Sequence, residues 1–204
     1  MIDTLTPRER RHQKTKQAIL QAAQDIITEK GANGLSLREI AQRIDYSPAG
    51  LYEYFNSKDD IIAAVCVKEF EQFSTYLNRV STNLSPAERI VQLGQAYLDF
   101  ARNNPEQFVF ISTMVSSRQG ANTTLSAENT PYNIVRQAVQ MYIETEQIVL
   151  SAGHTVDDVT YIFWANLHGL AMLQQTAFCQ NEHYDVDSIH RWAFELFGKG
   201  LKTV

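Results

Sequence analysis

Glu9 and His12 stand three residues apart, so a helix would carry both on one face, as in half of a carboxylate-bridged di-iron site. Such a site needs a second copy of the pair and two further glutamates from other helices. Here the single copy lies inside the basic run Arg8, Arg10, Arg11, Lys14 and Lys16, so metal chemistry is set aside. Cys66 and Cys179 are the two cysteines, too few for a zinc site or a disulfide framework. Neither has a CxxC partner or a basic cluster to make it a reactive thiolate, so buried inert thiols are expected. The phosphate-cradling P-loop, the Gly-x-Ser-x-Gly elbow and the His-Glu-x-x-His pair are all missing from the sequence. The reading is therefore of a protein that is not an enzyme and needs no cofactor or metal.

Charge is a better guide than nucleophiles. The formal net charge of the 204 residues is −5, unpromising for a partner made of phosphate. Yet residues 8–58 hold nine Lys/Arg against six Asp/Glu, and residues 59–204 hold nine against sixteen. A cationic head on an acidic body fits a part that touches phosphate joined to a part that does not. A basic arm that merely solvates the chain explains the same numbers.

The elements that must position these groups read as helices. Nine Gly and five Pro are few for a turn-rich β architecture, and a 44% hydrophobic content suffices for a sizeable core. The longest apolar run, Ile61 to Val67, is far short of the ~20 residues of a membrane span, and no apolar stretch follows the N-terminal charges as a secretory signal would require. Ile19, Ala22, Ala23, Ile26 and Ile27 lie at helical spacing and stop at Gly31 to Gly34. Ser36 and Glu39 form a capping-box pattern before Ile40, Ala41 and Ile44. Ser47-Pro48 restarts the helix, with Leu51 and Phe55 as its buried pair. Ser57 with Asp60 opens a longer helix whose face carries Ile62, Val65, Cys66, Phe70, Phe73 and Leu77, and Ser85-Pro86-Ala87-Glu88 opens the next, to about Arg102. Further helices are predicted over 106–117, 131–150, 155–178 and from Asp187 to Gly198, with 118–129 as a polar loop. The expectation is an all-α fold of about nine helices.

Three short helices followed by a long one, with a tight turn between the second and third, make a helix-turn-helix module. Residues 35–60, LSLREIAQRIDYSPAGLYEYFNSKDD, resemble the DNA-binding module of the TetR family of transcriptional regulators. Ile40-Ala41 matches the family's "IA" pair, and Ser47 the serine that starts the recognition helix. Leu51, Tyr52 and Phe55 fit its Gly-x-Leu-Tyr-x-x-Phe run, and Ser57, Lys58 and Asp59 its "Ser-Lys-Asp/Glu" start of the fourth helix. A weaker likeness covers WANLHGLAML at 164–173, similar to a Trp-x-x-x-His-Gly segment in one subgroup. Two positions depart from the pattern. Asp45-Tyr46 replaces the usual Gly-Val of the turn, although Asp tolerates positive φ better than most residues. Glu53 puts an acid on the recognition helix, where it either reads cytosine N4 or stays in solvent.

The resemblance implies a basic arm at 1–12, a helix-turn-helix domain at 13–58 and a C-terminal effector and dimerisation body at 59–204. Small residues let a recognition helix approach base edges, while donors fix phosphates. Pro48, Ala49 and Gly50 supply the first need. Ser47, Lys58, and Ser36 with Arg38 on the preceding helix supply the second, and Tyr52 and Tyr54 can bond either a phosphate oxygen or a base edge. The basic run at 8–16 either follows phosphate or enters the minor groove, or else frays in solvent.

In the body, Tyr97, Phe110, Tyr142, Trp164, Asn166 and His168 are the candidate effector contacts, and Leu170, Gln174, Trp192, Phe194 and Phe197 the candidate dimer contacts. The expected partners are an operator duplex, a second copy of the chain and an apolar or weakly cationic small molecule, with no membrane and a bacterial cytoplasmic location. The function so implied is a repressor released by its effector. A regulator switched by a protein partner is the alternative, and a helical-bundle enzyme or carrier is the rival from another class.

Overall fold

The computed structural model describes residues 6–115, 130–151, 153–176 and 185–201, and it divides into two compact units. The first comprises the described residues of Met1–Glu69 and Val109–Ala121, the second those of Phe70–Phe108 and Asn122–Val204. Among the described residues all regular structure is helical: eight α-helices and two short 3-10 segments.

In the first unit, α1 (Pro7–Lys30) buries Ile19, Ala22, Ala23, Ile26 and Ile27, the stripe expected from the sequence. It begins well before that stripe. Thr6 accepts from the Glu9 backbone N–H while the Glu9 carboxylate accepts from the Thr6 N–H, and Pro7 occupies the first helical turn. The basic arm expected over 1–12 is thus helical from Pro7 onward. A 3-10 turn, Ala32–Gly34, follows Gly31, whose φ of 72° suits glycine. Next comes α2 (Leu37–Arg43), burying Ile40 and Ala41. Its expected capping box does not form. Ser36 makes no side-chain cap, because Glu39 is drawn instead to Lys30 at 2.7 Å and Arg43 at 2.9 Å. Arg43 also meets both carboxylate oxygens of Glu29, tying α2 to the end of α1.

The third helix expected from the sequence is a 3-10 segment, Ala49–Glu53, with Leu51 buried. Ser47 Oγ accepts from the Gly50 N–H at 3.0 Å, but Pro48 and not the serine holds the N-cap position, so the expected cap is displaced by one residue. α3 (Lys58–Leu77) then starts beyond Ser57, whose Oγ accepts from the Asp60 N–H. Leu35, Leu51, Phe55, Ile61, Val65 and Cys66 complete the core of this unit.

The second unit is built on α4 (Pro86–Asn103), which packs against α6 (Pro131–Thr145), α7 (Val156–Leu173) and α8 (Val186–Leu201). The expected Ser85–Glu88 capping box is present, and Thr130 and Thr155 cap α6 and α7. In chain order α5 (Pro105–Val115) follows the Asn104 break, and its residues from Val109 onward belong to the first unit. The loop expected at 118–129, the end of the 155–178 helix and Cys179 lie outside the described residues.

Gly94 matters to this core. A Cβ there would stand 2.7 Å from Phe194 Cζ, so the glycine is what admits that ring onto α4. Among the described residues no helix is long and apolar enough to cross a membrane.

Candidate nucleic-acid interface

The interface expected in the first unit is assembled around the turn after α2. Asp45 takes φ 52°, the positive value that the missing glycine would have supplied. Tyr46 follows, its N–H donating to the Ala41 carbonyl at 2.8 Å. The turn delivers Ser47, Pro48 and Ala49 to the surface, all exposed, with Gly50 half-buried beneath Tyr46. A 3-10 segment is narrower than an α-helix, and its exposed start carries only small side chains, as close approach to base edges requires.

Tyr52 is 58% exposed. Tyr54 is the residue that turns toward α1. Its ring stacks on His12 at a centroid distance of 4.5 Å, and its hydroxyl lies 3.5 Å from that of Tyr46. That contact raises the Tyr46 phenol pKa, helped by lost solvation and by the Glu53 charge. Lys58 sits in the first turn of α3, where a cation opposes the helix dipole. Asp59 and Asp60 beside it offset that cost. Arg38 is exposed and makes no ion pair among the described residues, unlike Arg43, whereas Ser36 is half-buried. Lys16 leaves the basic run to cover the Phe55 ring at 5.3 Å.

Sequence reasoning overlooked Tyr46 and His12, the two rings that hold Tyr54. An aromatic residue where the turn usually carries a small one was the available signal. Thr6-Pro7-Arg8-Glu9 was also legible, being the same pattern as Ser85-Pro86-Ala87-Glu88.

In the second unit, three of the candidate effector contacts meet. Tyr97 is 1% exposed, and its hydroxyl lies 3.1 Å from His168 Nδ1. Trp164 meets the Tyr97 ring edge-on at 5.1 Å, and Phe73 and Phe108 close on it at 5.1 and 5.8 Å. Burial holds the Tyr97 phenol protonated and lowers the His168 pKa, so a neutral imidazole faces a neutral phenol.

The other three lie elsewhere. Asn166 is exposed and donates to the Ile162 carbonyl of its own helix. Tyr142 reaches the Gly198 carbonyl at 3.5 Å, beside a separate apolar groove of about 270 Å³ that Ile90, Val91 and Phe197 also line. Phe110 belongs to the first unit.

The dimer candidates differ in their exposure. Phe194 is buried against Gly94 within its own unit and is not open to a partner. Gln174 Nε2 donates to the Leu98 carbonyl at 2.9 Å, which binds α7 to α4. Phe197 is half-buried on Phe163, and Leu170 is half-buried. Trp192 does face solvent, with Ile189 and Leu196 beside it on α8 and Tyr161 and Ile162 exposed on α7.

Comparisons with known proteins identify the family and the fold. Residues 19–65 match the family model of bacterial regulatory proteins of the tetR family, and residues 90–197 match the tetracyclin repressor-like C-terminal domain. An uncharacterized HTH-type transcriptional regulator of Mycobacterium tuberculosis is 20% identical over 162 residues, 79% of this chain and 71% of that one. YobS of Bacillus subtilis, also described as an HTH-type regulator, is 29% identical over 45% of this chain and 48% of its own. Among solved structures, a Rhodococcus protein of unknown function superposes with a TM-score of 0.73 at 19% identity, covering 92% of this chain and 95% of that one. FadR of Bacillus subtilis in complex with stearoyl-CoA superposes with 0.69 at 16% identity, covering 90% and 98%. These structural likenesses establish the fold. The two family matches take in the helix-turn-helix and most of the body, and the chain belongs to the TetR family of DNA-binding transcriptional regulators.

Proposed function

We propose that this protein is a homodimeric repressor that holds a palindromic operator and leaves it when a small, largely apolar molecule enters the body. The observation that carries the effector reading is the Tyr97–His168 hydrogen bond set among Phe73, Phe108 and Trp164. Ligand sites pair mostly apolar walls with a few placed polar groups, and this cluster has that composition. Ligand binding shifts a two-state protein only by its differential affinity for the states. A molecule that separates Tyr97 from His168 in one body conformation gains such a difference.

Dimerisation rests on the exposed apolar residues of α7 and α8. Ile189, Trp192 and Leu196 are spaced for one face of α8 and range from 40% to 60% exposed, and Tyr161 on α7 is 70% exposed. Two recognition segments related by a two-fold axis call for half-sites about one DNA turn, ~34–36 Å, or a multiple apart.

The test is a thermal-shift screen of neutral and cationic aromatic compounds, followed by release of operator DNA and repeated with Trp164→Ala. The expected result is a compound that stabilises the wild type, releases DNA and loses both effects in the variant. Stabilisation and release only by an anionic ligand contradict the effector reading. Stearoyl-CoA, present in the Bacillus subtilis FadR structure, is the anionic ligand to include.

A further inference from the structure

We propose that the effector carries a neutral hydroxyl group, and that this group takes the place of the Tyr97–His168 hydrogen bond by accepting from the phenol and donating to the imidazole. This deepens the effector reading above, on which it rests, by naming the ligand chemistry of that site.

The polarity of the existing bond decides what can replace it. Tyr97 on α4 is 1% exposed, and its hydroxyl has one hydrogen bond among the described residues, with His168 Nδ1 at 3.1 Å. Were Nδ1 protonated, it would donate to the phenol oxygen and leave the buried phenol hydrogen with no acceptor. That loss outweighs what a hydrogen bond gains. Tyr97 therefore donates and Nδ1 accepts. The ring, kept neutral by the burial that lowers its pKa, then holds its one proton on Nε2. A ligand that parts the two side chains strands a donor on Tyr97 and an acceptor on His168. Only a group that both accepts and donates satisfies them together. A hydroxyl does so through a single oxygen, which opens the gap least. An ether or ketone accepts from the phenol but leaves Nδ1 empty, and an ammonium leaves the phenol hydrogen unpaired.

The surroundings require that group to be neutral. His168 and Trp164 stand four residues apart on α7, so one face of the helix carries both. The Phe108 ring lies 5.4 Å from the imidazole, and Trp164 lies 5.1 Å from the Tyr97 ring and 5.7 Å from that of Tyr132. Lost solvation is the one cause that moves the pKa of Tyr97 or of His168, so no charged side chain among the described residues acts on the pair. Asp157, whose charge reaches Tyr132, is held by Arg136. An ionised ligand group would give up its water here and meet no counter-ion. The same rings offer an apolar bed to the rest of the molecule.

The test titrates the full chain with two matched probe series at neutral pH. One is 2-naphthol, 2-methoxynaphthalene and 2-methylnaphthalene; the other is phenol, anisole and toluene. In at least one series the hydroxyl member is expected to bind the wild type about fivefold more tightly than the ether, the worth of one net hydrogen bond, and the hydrocarbon more weakly still. His168→Leu leaves only the phenol to satisfy, so hydroxyl and ether should bind it alike. Tyr97→Phe leaves only Nδ1, so ether and hydrocarbon should bind it alike while the hydroxyl keeps its lead. Weakening of all three members together in both variants makes the pair structural and overturns the proposal. A second readout needs no variant. The nitrogen NMR signal of His168 Nδ1 should stay that of a hydrogen-bonded acceptor with the hydroxyl probe bound and move toward that of a free one with the ether. A signal that responds alike to both overturns the proposal. Equal wild-type affinity across each series also overturns it and leaves the effector reading standing. Binding of neither series, with stearoyl-CoA alone stabilising the protein, fails the effector reading and this proposal with it.

Discussion

Tyr46 covers Gly50 so closely that a Cβ on the glycine would stand 2.5 Å from Tyr46 Cε1 and 2.9 Å from Cδ1. The ring that excludes the side chain is also the ring whose hydroxyl meets Tyr54. Gly50 and Tyr46 therefore set the height of the recognition segment together. Because Tyr46 is 38% exposed, it can swing outward at small cost in stability.

Gly50→Ala is accordingly expected to push the ring aside, break the Tyr46–Tyr54 contact and weaken specific operator binding by about tenfold, equivalent to ~1.4 kcal/mol. The melting temperature should hardly move. Titration of operator and unrelated duplexes with the variant checks this, and an unchanged ratio of the two affinities contradicts it.

The dimer face gives a second expectation. Arginine at both Tyr161 and Trp192, which are 70% and 60% exposed, should yield a folded monomer in sedimentation at micromolar concentration. Gly94→Ala acts differently, since it drives a methyl into the Phe194 ring. It should lower the melting temperature by several degrees, about 2–4 °C for each kcal/mol in a chain of this size, and leave the dimer intact. A double-arginine variant that remains dimeric contradicts the assignment of that face.

How far the sequence disclosed all this depends on the physics at each position. Capping patterns with proline, at Ser85 and Thr130, placed helix starts well because the hydroxyl, the ring and the first turn act locally. Ser36 failed because tertiary ion pairs to Lys30 and Arg43 competed for Glu39. Ser47 to Phe55 reads as a helix, but spacing reveals neither its tight 3-10 form nor the closeness of Tyr46 to Gly50. Ile19 to Ile27 was legible as a face because one continuous core covers it. Phe194 was misplaced because a helix of alternating aromatic residues does not say which ring Gly94 admits. The residues expected to face DNA follow from local motif order. The contact of α1 with the recognition segment could not be read from spacing, because it depends on where His12 and Tyr54 meet.

Glu69 supplies the pH prediction. It is fully buried on α3, and neither carboxylate oxygen has a hydrogen-bond partner among the described residues. Burial raises its pKa, and the Lys68 ammonium, held by Gln21 and Gln24 at 3.0 and 2.7 Å, together with the nearby Gln24 amide, offsets only part of that. In the unfolded chain a glutamate loses its proton near pH ~4.3, while the folded protein keeps it to higher pH. Between those two values the unfolded state binds fewer protons, so stability falls as pH rises through that window and levels off above it. Glu69→Gln should remove this loss. Its advantage in melting temperature over the wild type should grow as pH rises from about 4.5. A variant less stable than the wild type near neutral pH would show that Glu69 is ionised and paired.

The central claim is that this protein grips DNA through its first unit, with Lys58 on a phosphate and the small residues of the recognition segment against base edges. The most direct measurement is affinity for the DNA upstream of its own gene between ~50 and ~200 mM salt, for the wild type and for Lys58→Ala. The account predicts a specific, steeply salt-dependent complex and a slope lower by about 0.9 in the variant, with every sequence weakened alike. A wild type that shows no salt-dependent binding, or a variant whose slope equals that of the wild type, contradicts it.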